Sequence, residues 1–313
     1  MNGAYSGPMA VAHGVPQGSI VGPILFLIMV NDIDQLGNMV LFADDTTLYT
    51  RGGTPEAASG NSDFVFESVK EWFSSNKFSL NEDKTQEMIV SLKKEVIRHG
   101  LDEVKLLGFV IDRKMTWKGH ITAVCTKLSR VTCLLRRLRG LVTETFLLSI
   151  YHALFHCHLS YGVELWGHAG GCEDILILQK RAMRIVFGAG VLEHCRPIFK
   201  QLEVLTFYGQ YILSSLLYVQ INKPSFIKRE DCHAYDLRQK DNIDIPYCRL
   251  SKKKDGFPLL GVKMYNTLPT NVRNLNFIKF KNTMKAWLVS KSFYSLGEFF
   301  GEDKNSISIQ PSS

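Results

Sequence analysis

No two of the seven cysteines form a C-x-x-C pair, and Cys125, Cys133, Cys157, Cys172, Cys195, Cys232 and Cys248 are odd in number and scattered. That excludes a zinc ribbon or a disulfide framework as the organising device and points to a reducing, intracellular setting, nuclear or cytoplasmic and not secreted. Cys172, His194 and Cys195 spell one looser set of metal ligands, against which isolated thiols are the simpler reading. Long apolar runs are also lacking. The longest, Ile24 to Val30, is far short of the roughly 20 residues that span a bilayer, and Met1 to Gln17 has neither the charged start nor the apolar stretch of a signal peptide. The sequence therefore predicts a soluble chain with no membrane partner. No acid precedes Asp32, and none lies between Asp112 and Glu144. Low complexity is confined to Ser306–Ser313, and no internal repeat stands out.

What is there is enough for a core. In 313 residues, 45% are hydrophobic, and 37 Lys and Arg against 30 Asp and Glu leave a net charge of +7. The balance permits a polyanionic partner without demanding one. Glycine and proline punctuate the chain up to Gly18, after which the run from Ile20 predicts a buried helix with Ser19 as its cap and Pro23 in its first turn. From Asn38 to Thr50, apolar and Thr-rich runs flank two acids, the pattern of two strands joined by a tight turn at Asp44-Asp45. Phe64, Val65, Val69, Trp72 and Phe73 recur at helical spacing, predicting a helix over 56–80. A strand is expected over 87–92 and a hairpin over 104–111. Val124, Leu128, Val131, Leu135 and Leu138 form the apolar stripe of a basic helix whose other face carries Arg130 and Arg137. Further helices are predicted over 143–159, 173–187 and 205–220, and 222–269 is more broken.

The sharpest constellation is Phe42-Ala43-Asp44-Asp45-Thr46. Two adjacent carboxylates at a hairpin tip suit a hard cation such as Mg²⁺, which takes oxygen ligands, although a bare Asp-Asp pair also suits an ordinary turn. The surrounding motifs decide between these readings. Gly14-Val15-Pro16-Gln17-Gly18-Ser19, Gly22-Pro23-Ile24-Leu25-Phe26 and Asn31-Asp32-Ile33, followed at short spacing by the Asp44-Asp45 motif, resemble the palm of reverse transcriptases. The resemblance is closest to the jockey-like class of non-LTR retrotransposon polymerases. It continues in order through Trp72, Asn76, Leu80-Asn81, Lys84-Thr85, Lys105-Leu106-Leu107-Gly108, Trp117 and His120. It then runs through Tyr161-Gly162, Trp166-Gly167, Gln179-Lys180-Arg181-Ala182 and Tyr265-Asn266-Thr267-Leu268-Pro269.

The resemblance implies an α+β fold: a partial palm over 1–115, a helical thumb-like region over 116–190, and a mostly helical C-terminal region over 191–313 with a disordered tail from 303. It implies an RNA-directed DNA polymerase that uses Mg²⁺ or Mn²⁺, deoxynucleoside triphosphates, an RNA template and a DNA primer. Asp44 and Asp45 would be metal ligands, with Lys84 near the leaving pyrophosphate. Pro16, Gln17 and Gly18 would line the nucleotide and template pocket, and Leu107 and Gly108 would grip the primer end. Arg130, Arg136 and Arg137 would meet the nucleic-acid backbone. In this family a further Asp precedes the Gly-Val-Pro-Gln-Gly-Ser loop, and here it has no counterpart. The expectation is a 5′-truncated copy with an incomplete metal site, inactive alone. The alternative is a non-catalytic nucleic-acid-binding remnant or a degraded reading frame without a role.

Overall fold

A computed structural model describes residues 18–93, 100–232 and 241–309. Its contacts divide the chain into two compact units, Met1–Val104 and Lys105–Ser313.

The first unit is built around α1 (Val21–Val30), a hairpin of β1 (Met39–Phe42) and β2 (Asp45–Leu48), and α2 (Pro55–Ser75). Ser19 Oγ accepts from the Gly22 N–H at 3.0 Å, one of the unpaired donors at the start of α1. The helix does not bury itself as the sequence predicts. Gly22 and Val30 are buried and Phe26 is half-buried, a stripe at i, i+4 and i+8, with Phe26 edge-on to Phe78 at 6.4 Å. Ile24, Leu25, Leu27, Ile28 and Met29 are exposed. A helix apolar all round has no polar face to show its orientation, so the sequence could not reveal that one stripe alone is covered. Phe78 also stacks on Trp72, 6.1 Å between ring centres. Thr54 caps α2 by accepting from the Ala57 N–H at 3.2 Å, with Pro55 at the first helical position.

No strand forms over 87–92, and the Leu101 N–H donates to the Glu87 carbonyl at 2.8 Å. Alternation supplies a strand only where another strand offers its edge.

The second unit opens on a hairpin of β3 (Glu103–Leu106) and β4 (Phe109–Asp112), whose first two residues lie before the unit boundary. Helices follow: α3 (Lys118–Leu138), α4 (Glu144–Ile150), a π-helical stretch Tyr151–His156, α5 (Cys157–Ser160), α6 (Val163–Trp166), α7 (Cys172–Phe187), α8 (Cys195–Gln201) and α9 (Phe207–Ile221). After the broken stretch come α10 (Arg229–Cys232), α11 (Ser251–Lys254), α12 (Leu259–Asn266), α13 (Thr270–Arg273), α14 (Phe277–Lys291) and α15 (Leu296–Gly301). On α3, Ile121, Val124, Leu128 and Leu135 are buried, following the predicted stripe. One core runs from Trp117 through α7 and the mostly buried α9 to Phe299 and Ile307. The tail predicted to be disordered from 303 holds a 3-10 turn over Lys304–Ser306, with Lys304 and Ile307 buried; 310–313 lie outside the described residues.

Burial lowers the titration of His156 to about 4, helped by His152 and Lys285, and its Nδ1 has no partner among the described residues. Between the unfolded value of 6.5 and about 4 the unfolded chain takes up a proton that the folded chain refuses. Stability therefore falls as pH drops through that window. Urea unfolding at pH 7 and pH 4.5 should show a loss of about 2 kcal/mol from this group, and His156→Gln should shrink the difference between the two pH values. An unchanged difference in the variant would assign the acid sensitivity elsewhere.

Candidate nucleic-acid and metal site

The β1–β2 register pairs Met39 with Leu48, Val40 with Thr47, Leu41 with Thr46 and Phe42 with Asp45. The loop is therefore Ala43-Asp44, one residue earlier than the sequence predicts, and Asp45 opens β2. Ala43 takes φ 51°, the left-handed geometry that a two-residue hairpin loop uses. Strand alternation separates the faces. Leu48 lies with Val65 of α2 around Gly37, where an added Cβ would come 2.7 Å from Val65 Cγ1. Asp45 lies on the opposite face with Val40 and Phe42, both exposed. Val40 and Phe42 form an apolar outer face of the hairpin.

Asp44 and Asp45 are both exposed, and neither carboxylate has a hydrogen-bond or ion-pair partner among the described residues. No group of three His, Cys, Asp or Glu side chains that could hold a metal gathers among those residues, around this turn or around Cys172, His194 and Cys195. Mg²⁺ is commonly held by one or two carboxylates plus waters and substrate phosphates, so the pair suits a single cation shared with a ligand. It does not fit a two-cation centre, which needs carboxylates from a second element. Asp32 and Asp34 precede β1, whose four residues carry the chain about 13 Å away from them to the turn.

Lys84 closes a 3-10 turn, Glu82–Lys84, whose entry is capped by Asn81 Oδ1 accepting from the Lys84 N–H at 3.2 Å. Its ammonium is exposed and reaches neither aspartate within ion-pair distance. Pro16 and Gln17 lie outside the described residues. Gly18 is exposed with φ 83°, and a Cβ there would meet nothing within 4 Å. Its left-handed backbone, and not a close approach, calls for glycine at this position in the structure.

In the second unit Leu107 (φ 47°) and Gly108 (φ 85°) form the β3–β4 turn. For Leu107 the left-handed geometry costs roughly 1–2 kcal/mol. The turn is held from outside: Tyr161 Oη donates to the Leu107 carbonyl at 2.7 Å, and Phe109 stacks on the Tyr161 ring at 4.9 Å. Gly162 makes that stack fit, since a Cβ there would lie 2.4 Å from Phe109 Cζ. His120 of α3 completes the support, its Nδ1 accepting from the Val110 N–H at 3.3 Å. Burial, with Lys127 adding to it, lowers the His120 titration. Before α3, the Asp112 carboxylate accepts from the N–H groups of Lys114, Thr116 and Trp117. Burial pushes its titration up, and these bonds outweigh it to leave the group below the usual range.

Arg130 and Arg137 are exposed on α3 opposite its buried stripe, Arg136 is exposed about 100° round from Arg137, and Lys127 continues the basic face. Arg139, just past the helix, donates to the Gly188 carbonyl at 2.8 Å and ties α3 to the end of α7. The sequence reading missed Tyr161, His120 and Lys127 as site residues. Tyr161-Gly162 was visible as a motif, but its partner Leu107 lies 54 residues away. Lys252 Nζ donates to the Lys114 carbonyl, placing the exposed Lys252–Lys254 run near the entry to α3. Among the described residues no helix is long and apolar enough to cross a membrane.

Residues 1–111 match the family described as reverse transcriptase (RNA-dependent DNA polymerase). The chain is similar to the RNA-directed DNA polymerase from mobile element jockey of Drosophila melanogaster, 28% identical over 230 residues covering 65% of this chain and 25% of the relative. It is also similar to the probable RNA-directed DNA polymerase from transposon X-element of the same organism, 27% identical over 270 residues covering 78% and 28%. A third relative is the probable RNA-directed DNA polymerase from transposon BS, 27% identical over 213 residues covering 58% and 23%. The chain thus spans about a quarter of the length of the curated relatives it matches. No solved structure matches it. The Ala43-Asp44 loop with Asp45 and the Leu107-Gly108 turn both fall inside the stretch that matches the reverse transcriptase family, and along more of its length the chain is similar to the polymerases of mobile elements.

Proposed function

We propose that this chain is the distal part of an RNA-directed DNA polymerase and that, as a 313-residue polypeptide, it binds nucleic acid without extending a primer. The observation that carries the reading is the family match over 1–111, which contains the unpartnered Asp44 and Asp45. In this reading 1–115 is a partial palm, 116–190 a thumb-like region and 191–313 a C-terminal retroelement region. Asp44 and Asp45 are ligands for Mg²⁺ or Mn²⁺ in company with a nucleotide's phosphates. Lys84 neutralises leaving-group charge, and Pro16, Gln17 and Gly18 line the nucleotide and template pocket. The turn at Leu107-Gly108 sets the primer end. Tyr161, through the Leu107 carbonyl, is a positioning residue for that turn.

The basic face of α3 supports the binding half of the proposal. Arg130, Arg136 and Arg137 are exposed on a stretch with no acid from Arg113 to Thr143, so a phosphate backbone meets cations there without like-charge repulsion. Affinity for a single-stranded oligonucleotide should fall steeply with salt. The double variant Arg130→Ala, Arg137→Ala should reduce the slope of log affinity against log salt by about 1.4, the release of counterions from two phosphates. Asp44→Asn should leave both affinity and slope unchanged. Fluorescence anisotropy over a range of salt concentrations measures all three, and affinity indifferent to salt would overturn the assignment.

A further inference from the structure

The π-helical stretch Tyr151–His156 carries two histidines four residues apart, His152 and His156, on one face. Their rings lie 5.5 Å apart between centres and cross at 68°. Two imidazoles that hold one tetrahedral ion through nitrogen at about 2.0–2.1 Å put their ring centres roughly 5 Å apart, so the pair already stands at the spacing of a chelate. His152 is exposed and His156 half-buried, and no hydrogen bond or ion pair engages a nitrogen of either ring among the described residues. In His156 burial removes only Nδ1 from solvent, which leaves Nε2 as the nitrogen presented to a ligand. Nδ1 lacks a partner in either tautomer, so moving the ring proton onto it, as coordination through Nε2 requires, adds little to a cost that folding already carries. The exposed His152 ring can turn its own nitrogen to the same point. Helical turns of the π form are uncommon and recur at functional sites, and the polymerase reading leaves this one unused.

We propose that His152 and His156 form an open two-histidine site for a divalent transition-metal ion of the Zn²⁺ class. Imidazole suits such ions, whereas Mg²⁺ prefers oxygen. Two protein ligands leave the remaining positions to water or to a further ligand. Lys285 of α14 places a positive charge near both rings, which opposes a cation and sets the affinity below that of a closed four-ligand site. The site lies in the second unit, and it rests neither on Asp44 and Asp45 nor on the nucleic-acid reading.

The test titrates Zn²⁺ alone into the full chain at neutral pH and follows the imidazole C–H resonances of His152 and His156, assigned through His152→Ala and His156→Gln. Resonances are needed because the exposed thiols of Cys133 and Cys157 also take Zn²⁺, so heat of binding by itself does not locate the ion. Both resonances should move together and saturate with one ion. Each variant should weaken the response at the remaining histidine by roughly tenfold or more. If His156→Gln unfolds the chain, His152→Ala decides, since that side chain is exposed. Mg²⁺ at the same concentration should move neither resonance. Zn²⁺ binding that leaves both resonances in place, a His156 response unchanged in His152→Ala, or equal shifts with Mg²⁺ would overturn the site.

Discussion

In primer extension on a homopolymer RNA template, the 313-residue chain is expected to incorporate no more nucleotide than its Asp44→Asn variant, with Mg²⁺ or with Mn²⁺. In-line transfer of a nucleotidyl group requires both the attacking oxygen and the leaving phosphate to be held, and carboxylates from two elements do this in two-cation sites. Asp44 and Asp45 come from one turn, Asp45 points to the outer face of the hairpin, and no third ligand gathers with them among the described residues. Losing a ligand of that kind raises the barrier by roughly 4 kcal/mol, about a thousandfold in rate. Incorporation that exceeds background and disappears in Asp44→Asn would show that the turn alone suffices, and would overturn the proposal that this chain binds without catalysing.

The second large effect is on stability. Gln179→Met should destabilise the protein by roughly 3–9 kcal/mol, because three buried groups each lose a partner at roughly 1–3 kcal/mol. Gln179 is fully buried in α7. Its Nε2 donates to Tyr151 Oη at 2.8 Å and to the Leu205 carbonyl at 2.9 Å, while its Oε1 accepts from the Phe207 N–H at 2.7 Å. One side chain thus joins the π-helical stretch, the approach to α9 and the first residue of α9. Methionine keeps the volume, so the loss reports on hydrogen bonds and not on a cavity. Whole domains are stable by about 5–15 kcal/mol, which leaves the variant near the edge of folding at 37 °C. The neighbouring exposed Arg181→Ala should stay within about 0.5 kcal/mol. A urea midpoint for Gln179→Met equal to that of Arg181→Ala would refute this account.

Gln179-Lys180-Arg181-Ala182 shows what a sequence motif can and cannot say. It marks kinship, yet in the structure Gln179 and Ala182 are buried while Arg181 is exposed, so part of its weight is architectural. Periodicity sufficed for α3 and α7, where one face meets a continuous core. It failed for α1, whose uniformly apolar surface hides which stripe is covered, and the strand expected over 87–92 finds no partner strand among the described residues. The β1–β2 turn was displaced by one residue because Asp invites turn geometry more than alanine does, yet Ala43 takes the left-handed position. The candidate residues Asp44, Asp45, Lys84, Leu107 and Gly108 were legible as motifs. The support from Tyr161 and His120 was not, because hydrogen bonds spanning tens of residues leave no local pattern.

The unbroken core from Trp117 to Ile307 has a consequence for how this unit tolerates damage. Helices that share one core have few independent ways to open, so hydrogen exchange should protect α3 and α14 to similar degrees despite the distance between them in sequence. A frameshift or stop removing Phe299 and Ile307 would then loosen the basic helix more than a hundred residues upstream. The packing around Phe299 and Ile307 is thus part of what keeps α3 folded.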